Sequence, residues 1–247
     1  MKFYGQFDPP VDRFIFERYF NVNPPMRGGV FIECGAFDGE TESSAKFFEE
    51  TLGWKAINIE PSPKVYDRLC KNRPLSNNFN FALSCTDGEM TFTDVHHPDF
   101  ELCTNGSIEH RPEHKQILDE AGCHYSNVQV RTLRYNTLIE QLKLNRLDLM
   151  ILDVEGHELS VLEGMKNARI LPNVLCVEHG HLGIETVRAA IEPLGYVFDT
   201  TSYVNSFFLK RSLAAEVSFL KNQIRQMETS KSWKITQPMR YIRNLFR

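Results

Sequence analysis

The chain has 247 residues, room for one α/β domain with an extension or for two small domains. With 42% hydrophobic and 24% charged residues, 14 glycines and 12 prolines, it sits near average globular usage, which excludes collagen-like, low-complexity and wholly disordered readings. The net charge of −4 is unevenly spread: residues 211–247 hold eight Lys/Arg against Glu216 and Glu228 and carry +6, leaving −10 on the preceding 210, and so acidic a body argues against a nucleic-acid-binding domain.

The chain opens on Met1-Lys2-Phe3-Tyr4-Gly5-Gln6-Phe7-Asp8, without the apolar run of a secretory leader, and no stretch approaches the roughly 18 to 20 apolar residues of a membrane span. The expected location is cytoplasmic. Cys34, Cys70, Cys85, Cys103, Cys123 and Cys176 form no C-x-x-C pair and are expected as reduced thiols, several of them in the core.

In chain order, the pattern predicts a helix over 11–20 within an N-terminal segment 1–27. A short buried strand over 29–32 then runs through Glu33-Cys34 into a glycine turn at Gly35. Helix formers without a breaker predict a helix over 40–52 closed by Gly53, and a second strand follows over 54–60. The alternation continues with helices over 63–70, 137–144, 157–166 and 183–194, and with strands over 79–83, 147–152 and 174–177. Two closely spaced strands over 196–198 and 203–210 can only be antiparallel. Strands separated by helices imply an α/β fold, a mostly parallel sheet covered on both faces. Residues 96–126 break the rhythm with five of the eight histidines, including His110 and His114, and read as a cap or substrate insertion.

The glycine turn carries the first chemistry. A dinucleotide fingerprint needs G-x-G-x-x-G, and whether Gly35 is its first or second glycine, two positions fail, so a nicotinamide-dependent dehydrogenase is disfavoured. What stands instead is Glu33-x-Gly35-x-x-x-Gly39, a carboxylate beside a turn that suits a cationic ligand such as the sulfonium and amino acid of S-adenosylmethionine. Glu60 ends the second strand 25 residues after Gly35, near the offset at which an acid accepts hydrogen bonds from ribose hydroxyls.

The segments Phe31-Ile32-Glu33-Cys34-Gly35-Ala36-Phe37-Asp38-Gly39-Glu40-Thr41, Ile59-Glu60-Pro61-Ser62-Pro63, Ala82-Leu83-Ser84 and 147–158, with its Asp153-Val154-Glu155-Gly156-His157-Glu158 end, resemble the ordered motifs of the FkbM-type methyltransferases over residues 28–210. The resemblance implies a Rossmann-like class I methyltransferase fold: a mostly parallel seven-stranded sheet with an antiparallel last strand, and S-adenosylmethionine as cofactor. It implies that Glu33, Gly35 and Gly39 shape the methionine side of the pocket, with Asp38 in the same turn, that Glu60 holds the ribose, and that Ser84 lies near the adenine. The family often has Lys two residues before the Asp of Asp-Val-Glu-Gly, where this chain has Ile151.

Methyl transfer to a hydroxyl needs the acceptor oxygen held against the methyl carbon and its proton removed. Asp153, His157 and His179 are the candidate catalytic groups at the strand ends. A divalent metal held by Asp153, Glu178 and His179 is the competing reading, and a third has Asp153 and Glu155 bracing the cofactor loop while His157 caps a helix. The acceptor expected is a sugar hydroxyl of a surface polysaccharide or its precursor. A macrolide-like metabolite and a non-catalytic scaffold module are the alternatives. In the basic tail 211–247, Leu213, Val217, Leu220, Ile224 and Met227 follow 4-3-4-3 spacing, a short seam for a second chain or for the body. The aromatic and basic residues beyond it suit an anionic membrane surface and a peripheral place beside a glycan assembly line.

Overall fold

The computed structural model describes residues 1–180 and 182–229. His181 and the aromatic, basic stretch of the tail lie outside the described residues. In chain order the elements are α1 (Val11–Ile15), running into a π-helical turn (Phe16–Phe20), then β1 (Val30–Cys34), α2 (Lys46–Leu52), β2 (Lys55–Ile59), α3 (Pro63–Asn72), β3 (Asn77–Phe79) and β4 (Ala82–Ser84). They continue with β5 (Gly88–His96), α4 (Pro112–Glu120), β6 (His124–Arg134), α5 (Tyr135–Gln141), β7 (Leu149–Leu152), α6 (Glu158–Gly164) and β8 (Val174–Glu178). The last are α7 (Ile184–Ile191) with a 3₁₀ turn (Glu192–Leu194), β9 (Tyr196–Ser202), β10 (Asn205–Lys210) and α8 (Arg211–Thr229).

Seven strands form one sheet in the order β3-β2-β1-β7-β8-β10-β9. All pairs from β3 to β8 are parallel, and β10 runs antiparallel to both neighbours. Successive side chains of an extended strand point to opposite faces, and the sequence supplies an apolar residue for each. Ile32, Met150, Leu152, Leu175 and Val177 pack against α5, α6 and α7. Phe31, Leu149, Ile151, Val174 and Cys176 pack against α2 and the N-terminal helical segment through Ile15, Phe16, Phe20, Phe47 and Phe48. Both faces are thus buried, as the alternation predicts, and β10 is the antiparallel last strand.

Three elements depart from the sequence expectation. The helix expected over 40–52 begins only at Lys46, because Phe37, Gly39 and Glu42 all take positive φ. Ser43 Oγ then accepts a hydrogen bond from the N–H of Lys46, the first helical residue, at 3.1 Å. The strand expected over 79–83 is two strands, β3 in the main sheet and β4 in a second, three-stranded sheet ordered β4-β6-β5. The long antiparallel pairing of β5 with β6, from Gly88↔Thr132 to His96↔His124, escapes the apolar pattern because most of its outward side chains meet solvent. Residues 97–123 are therefore the far end of a hairpin and carry α4.

α8 is helical as the spacing predicts. Its first turns, at Leu213, Ala214 and Val217, are partly covered, whereas Leu220, Ile224 and Met227 are 48%, 55% and 60% exposed. Among the described residues no helix is long and apolar enough to cross a membrane.

Candidate active site

The carboxyl ends of β1, β2, β7 and β8 open on a cavity of about 390 Å³, at the edge where parallel sheets collect ligands. Phe92 and Asp94 of β5, residues 103–106 of the insertion, and Gln6 and Phe7 from the N-terminal segment complete its wall.

At the β1 end, the chain turns sharply through Gly35 (φ 85°). A Cβ there would stand 1.7 Å from the Asp153 carbonyl oxygen, so only glycine lets this turn press against the loop after β7. The Gly35 and Ala36 N–H groups both donate to the Ile59 carbonyl at 3.1 Å, tying the turn to β2. Glu60, the next residue, accepts from the Phe37 N–H at 3.1 Å and the Ser62 N–H at 2.8 Å, so its carboxyl faces the cavity from a fixed position. Burial, with help from the Asp94 charge, pushes that carboxyl up to about 8 against two backbone donors that favour its charged form. The Ser62 hydroxyl, also on the wall, is buried without a protein partner among the described residues.

Glu33 is on the wall too, but its carboxylate is engaged from behind. Ser43 Oγ donates to it at 3.0 Å, and Arg73 Nη1, 3.3 Å away, completes a buried ion pair that extends through Arg73 Nη2 to Glu49 at 2.6 Å. Asp38, Gly39 and Ser84 are not on the wall. Asp38 ties the turn together by accepting from the Glu40 and Thr41 N–H groups at 2.9 and 2.7 Å, and Gly39 gives α3 room, since a Cβ would meet Leu69 at 2.4 Å. Ser84 lies behind Leu83, its hydroxyl 3.0 Å from His157 Nε2.

At the β7–β8 end, the register Leu152↔Val177 sets the next residues, Asp153 and Glu178, side by side on the wall. Burial, then the charges of Asp153, Glu155 and Glu158, push Glu178 up to about 10, so it is protonated at neutral pH beside Asp153. His179, one residue on, points the other way and meets Ser206 Oγ through Nδ1 at 2.9 Å. His157 is 5% exposed, and burial holds its imidazole below the ordinary range. His157 lines the cavity, with Nε2 on Ser84 and its buried Nδ1 without a hydrogen-bond partner among the described residues, 3.8 Å from Glu109. Among the described residues no group of three or more His, Cys, Asp or Glu is placed to hold a metal.

The loop 153–158 is built by residues that the spacing alone does not sort. Glu155 (φ 54°) and Gly156 (φ 105°) turn it, and Glu158 Oε1 accepts from the Val154 and Gly156 N–H groups at 3.0 and 3.2 Å, so Glu158 is its brace. Gly156 keeps the insertion close, because a Cβ would stand 2.8 Å from the Glu109 carbonyl oxygen, and Ser107 Oγ donates to the Glu155 carbonyl at 2.8 Å. His114 and its 3.8 Å approach to Glu155 belong to this seam. Asp94 and Asn105, both on the wall, were missed by sequence reasoning; the alternation Met90-x-Phe92-x-Asp94 is the signal that could have found the first.

The family model described as "Methyltransferase FkbM domain" matches residues 33–198. A hexuronic acid methyltransferase, AglP, of Haloferax volcanii is 28% identical over 131 residues, 51% of this chain and 47% of that protein, so the match spans about half of the relative's length. Similar solved structures include an FkbM methyltransferase from Methylobacillus flagellatus (14% identity, 77% of this chain and 46% of that one, TM-score 0.46). A TehB-like S-adenosylmethionine-dependent methyltransferase from Corynebacterium glutamicum is also similar (11% identity, 81% and 86% covered, TM-score 0.41).

Proposed function

The chain belongs to the FkbM methyltransferase family, and from that premise we propose that it is an S-adenosylmethionine-dependent O-methyltransferase acting on a sugar hydroxyl of a surface polysaccharide or its precursor. The observation that carries the proposal is the pairing of two unlike ends in one cavity. The Gly35 turn and Glu60 lie at one end, and the Asp153–Glu178 carboxyl pair lies at the other.

The residues at the first end fit the cofactor. A backbone turn that no side chain can obstruct, a fixed carboxyl with lone pairs to spare and the unpartnered Ser62 hydroxyl suit ribose hydroxyls beside a nucleoside, in a cavity within the usual range for small-molecule sites. When bound, S-adenosylmethionine supplies an electrophilic methyl group on a sulfonium centre. Glu60 would accept from the ribose hydroxyls, while Leu83 and Phe92 offer apolar surface for the base. Glu33, neutralised by Arg73 and Ser43, holds the turn in shape.

At the second end Asp153 is the group we assign to the proton. Glu178, protonated, donates to Asp153 and orients it, and Asp153 takes the hydroxyl proton as the oxygen–methyl bond forms. The insertion, held to loop 153–158 through Ser107, closes over the acceptor end as a substrate cap and limits water there. The sugar class is supported by the name of the Haloferax relative. The test is transfer of labelled methyl from S-adenosylmethionine to a glycan fraction, comparing the wild type with Asp153→Asn. Transfer lost in the variant supports the reading, and equal transfer by both overturns the role of Asp153.

A further inference from the structure

Two aromatic side chains from distant parts of the chain meet beside the acceptor end. Phe7, on the cavity wall, and Tyr203, in the two-residue turn between β9 and β10, stack with ring centroids 4.3 Å apart and planes within 8° of parallel. Both take positive φ, 76° and 51°, a backbone conformation that is costly for a bulky side chain. A two-residue hairpin turn calls for such a backbone and is ordinarily filled by Asn, Asp or Gly, so the turn itself gains nothing from a tyrosine. The ring is held in place all the same: the Tyr203 hydroxyl donates to the Asp8 carbonyl, while the side chain stays 54% exposed.

The residues that follow the turn, Val204 and Asn205, are on the wall. Asn205 stands across from Glu178 in the β8–β10 register and is 6% exposed. Cys176 Sγ donates to its Oδ1 at 3.6 Å, and no described residue accepts from its Nδ2. Buried amides in folded proteins are hydrogen-bonded, so a wall amide whose donors meet no protein acceptor points, independently of the aromatic pair, to a ligand.

We infer that Phe7, Tyr203 and Asn205 form the subsite for a pyranose ring of the acceptor. Phe7 gives its cavity side to the C–H face of the sugar, Tyr203 fixes Phe7 from behind as a positioning residue, and Asn205 Nδ2 donates to an oxygen at the sugar's edge. The inference rests on the O-methyltransferase reading and extends it to the groups that hold the acceptor. A pyranose carries weakly positive C–H groups on its faces and hydroxyls around its edge. The first suit the negative face of an aromatic ring, and the second suit an amide beside a carboxyl group. A macrolide-like acceptor brings mainly apolar surface and would leave the Asn205 amide covered without a partner.

The test uses the full chain loaded with S-adenosylhomocysteine, whose binding is measured first by calorimetry. Methyl β-glucoside, methyl β-galactoside and methyl β-glucuronide are then titrated by ligand-observed NMR, and saturation of the protein's aromatic protons is expected to reach the C–H protons on one face of a bound glycoside. Phe7→Leu keeps an apolar side chain without the ring and should weaken glycoside binding at least about fivefold while leaving the S-adenosylhomocysteine Kd unchanged. Tyr203→Leu should weaken it in the same direction, with rescue by Tyr203→Phe, and Asn205→Ala should weaken it about fivefold. Glycosides that receive no saturation from aromatic protons, or that bind equally well to the wild type and Phe7→Leu, overturn the inference and leave the methyltransferase reading standing. Cofactor-product binding with none of the glycosides held at millimolar concentration overturns the inference together with the sugar class. Failure of the folded wild type to bind S-adenosylhomocysteine removes the methyltransferase reading and the inference with it. The saturation pattern on the wild type keeps the inference falsifiable if a variant fails to fold.

Discussion

The two ends of the cavity are built by opposite means. At the β1–β2 end the polar groups other than the Ser62 hydroxyl are satisfied by protein: Glu33 by Arg73 and Ser43, Glu60 by two backbone N–H groups, Gly35 and Ala36 by the Ile59 carbonyl. At the β7–β8 end carboxyl groups are buried together, and burial first, then the charges of Asp153, Glu155 and Glu158, favour a proton on Glu178. The first end is a rigid cradle, the second a set of crowded carboxyl groups, and under the proposed function that contrast separates holding a cofactor from acting on an acceptor.

The largest effect should come from breaking the cradle. Arg73→Ala leaves Glu33 buried without its ion pair, and the expected loss of stability is about 3 to 5 kcal/mol, read by urea denaturation. A loss below about 1 kcal/mol would show that the pair does not hold the turn. Next in size is Asp153→Asn, expected to lower kcat by about 10²- to 10³-fold while the cofactor Kd changes by less than about threefold. Parallel losses in both would mean that the two ends are not separable.

The third prediction is a pH dependence. In the proposed site ribose hydroxyls would donate to the charged form of Glu60, whose carboxyl is pushed up to about 8, so cofactor affinity should plateau above that pH. Below it the affinity should fall by up to about tenfold per unit, and Glu60→Gln should flatten the profile. The sign for the empty protein is opposite. With its value raised from 4.5 to about 8 on folding, Glu60 keeps a proton that the unfolded chain has lost, so its contribution to stability is present below pH 4.5 and is lost as the pH rises to 8. Thermal melts across that window, wild type against Glu60→Gln, check it. The smallest effect is expected at His179, where His179→Ala should cost about 1 kcal/mol through the Ser206 bond and leave kcat within about twofold. A large loss of kcat would return His179 to the acceptor end.

The contrast also sets what the sequence could reveal. The Gly35 turn and Glu60 are legible because each sits at a strand end a short way along the chain from its neighbours, and the sheet with two covered faces follows from apolar runs such as Leu149–Leu152. Arg73 is not legible as the partner of Glu33, because the two stand 40 residues apart in the chain and meet only through the folded arrangement of the β1 strand and the end of α3. Nor can spacing separate Glu178 from His179. Adjacent residues at a strand end point to opposite faces, and only the pairing of β7 with β8 and β10 decides that Glu178 faces the cavity and His179 faces Ser206. The β5–β6 hairpin stayed hidden because a half-solvated antiparallel pair carries few apolar residues for a pattern to catch.

The central claim is that one cavity end is a preformed cofactor cradle fixed by Glu60. Calorimetric titration of the purified chain with S-adenosylmethionine at pH 8.5, wild type beside Glu60→Ala, tests it most directly. A one-site isotherm weakened at least about tenfold in the variant, or about 1.4 kcal/mol, is the predicted result; no binding by a folded wild type, or equal binding by both proteins, would contradict it.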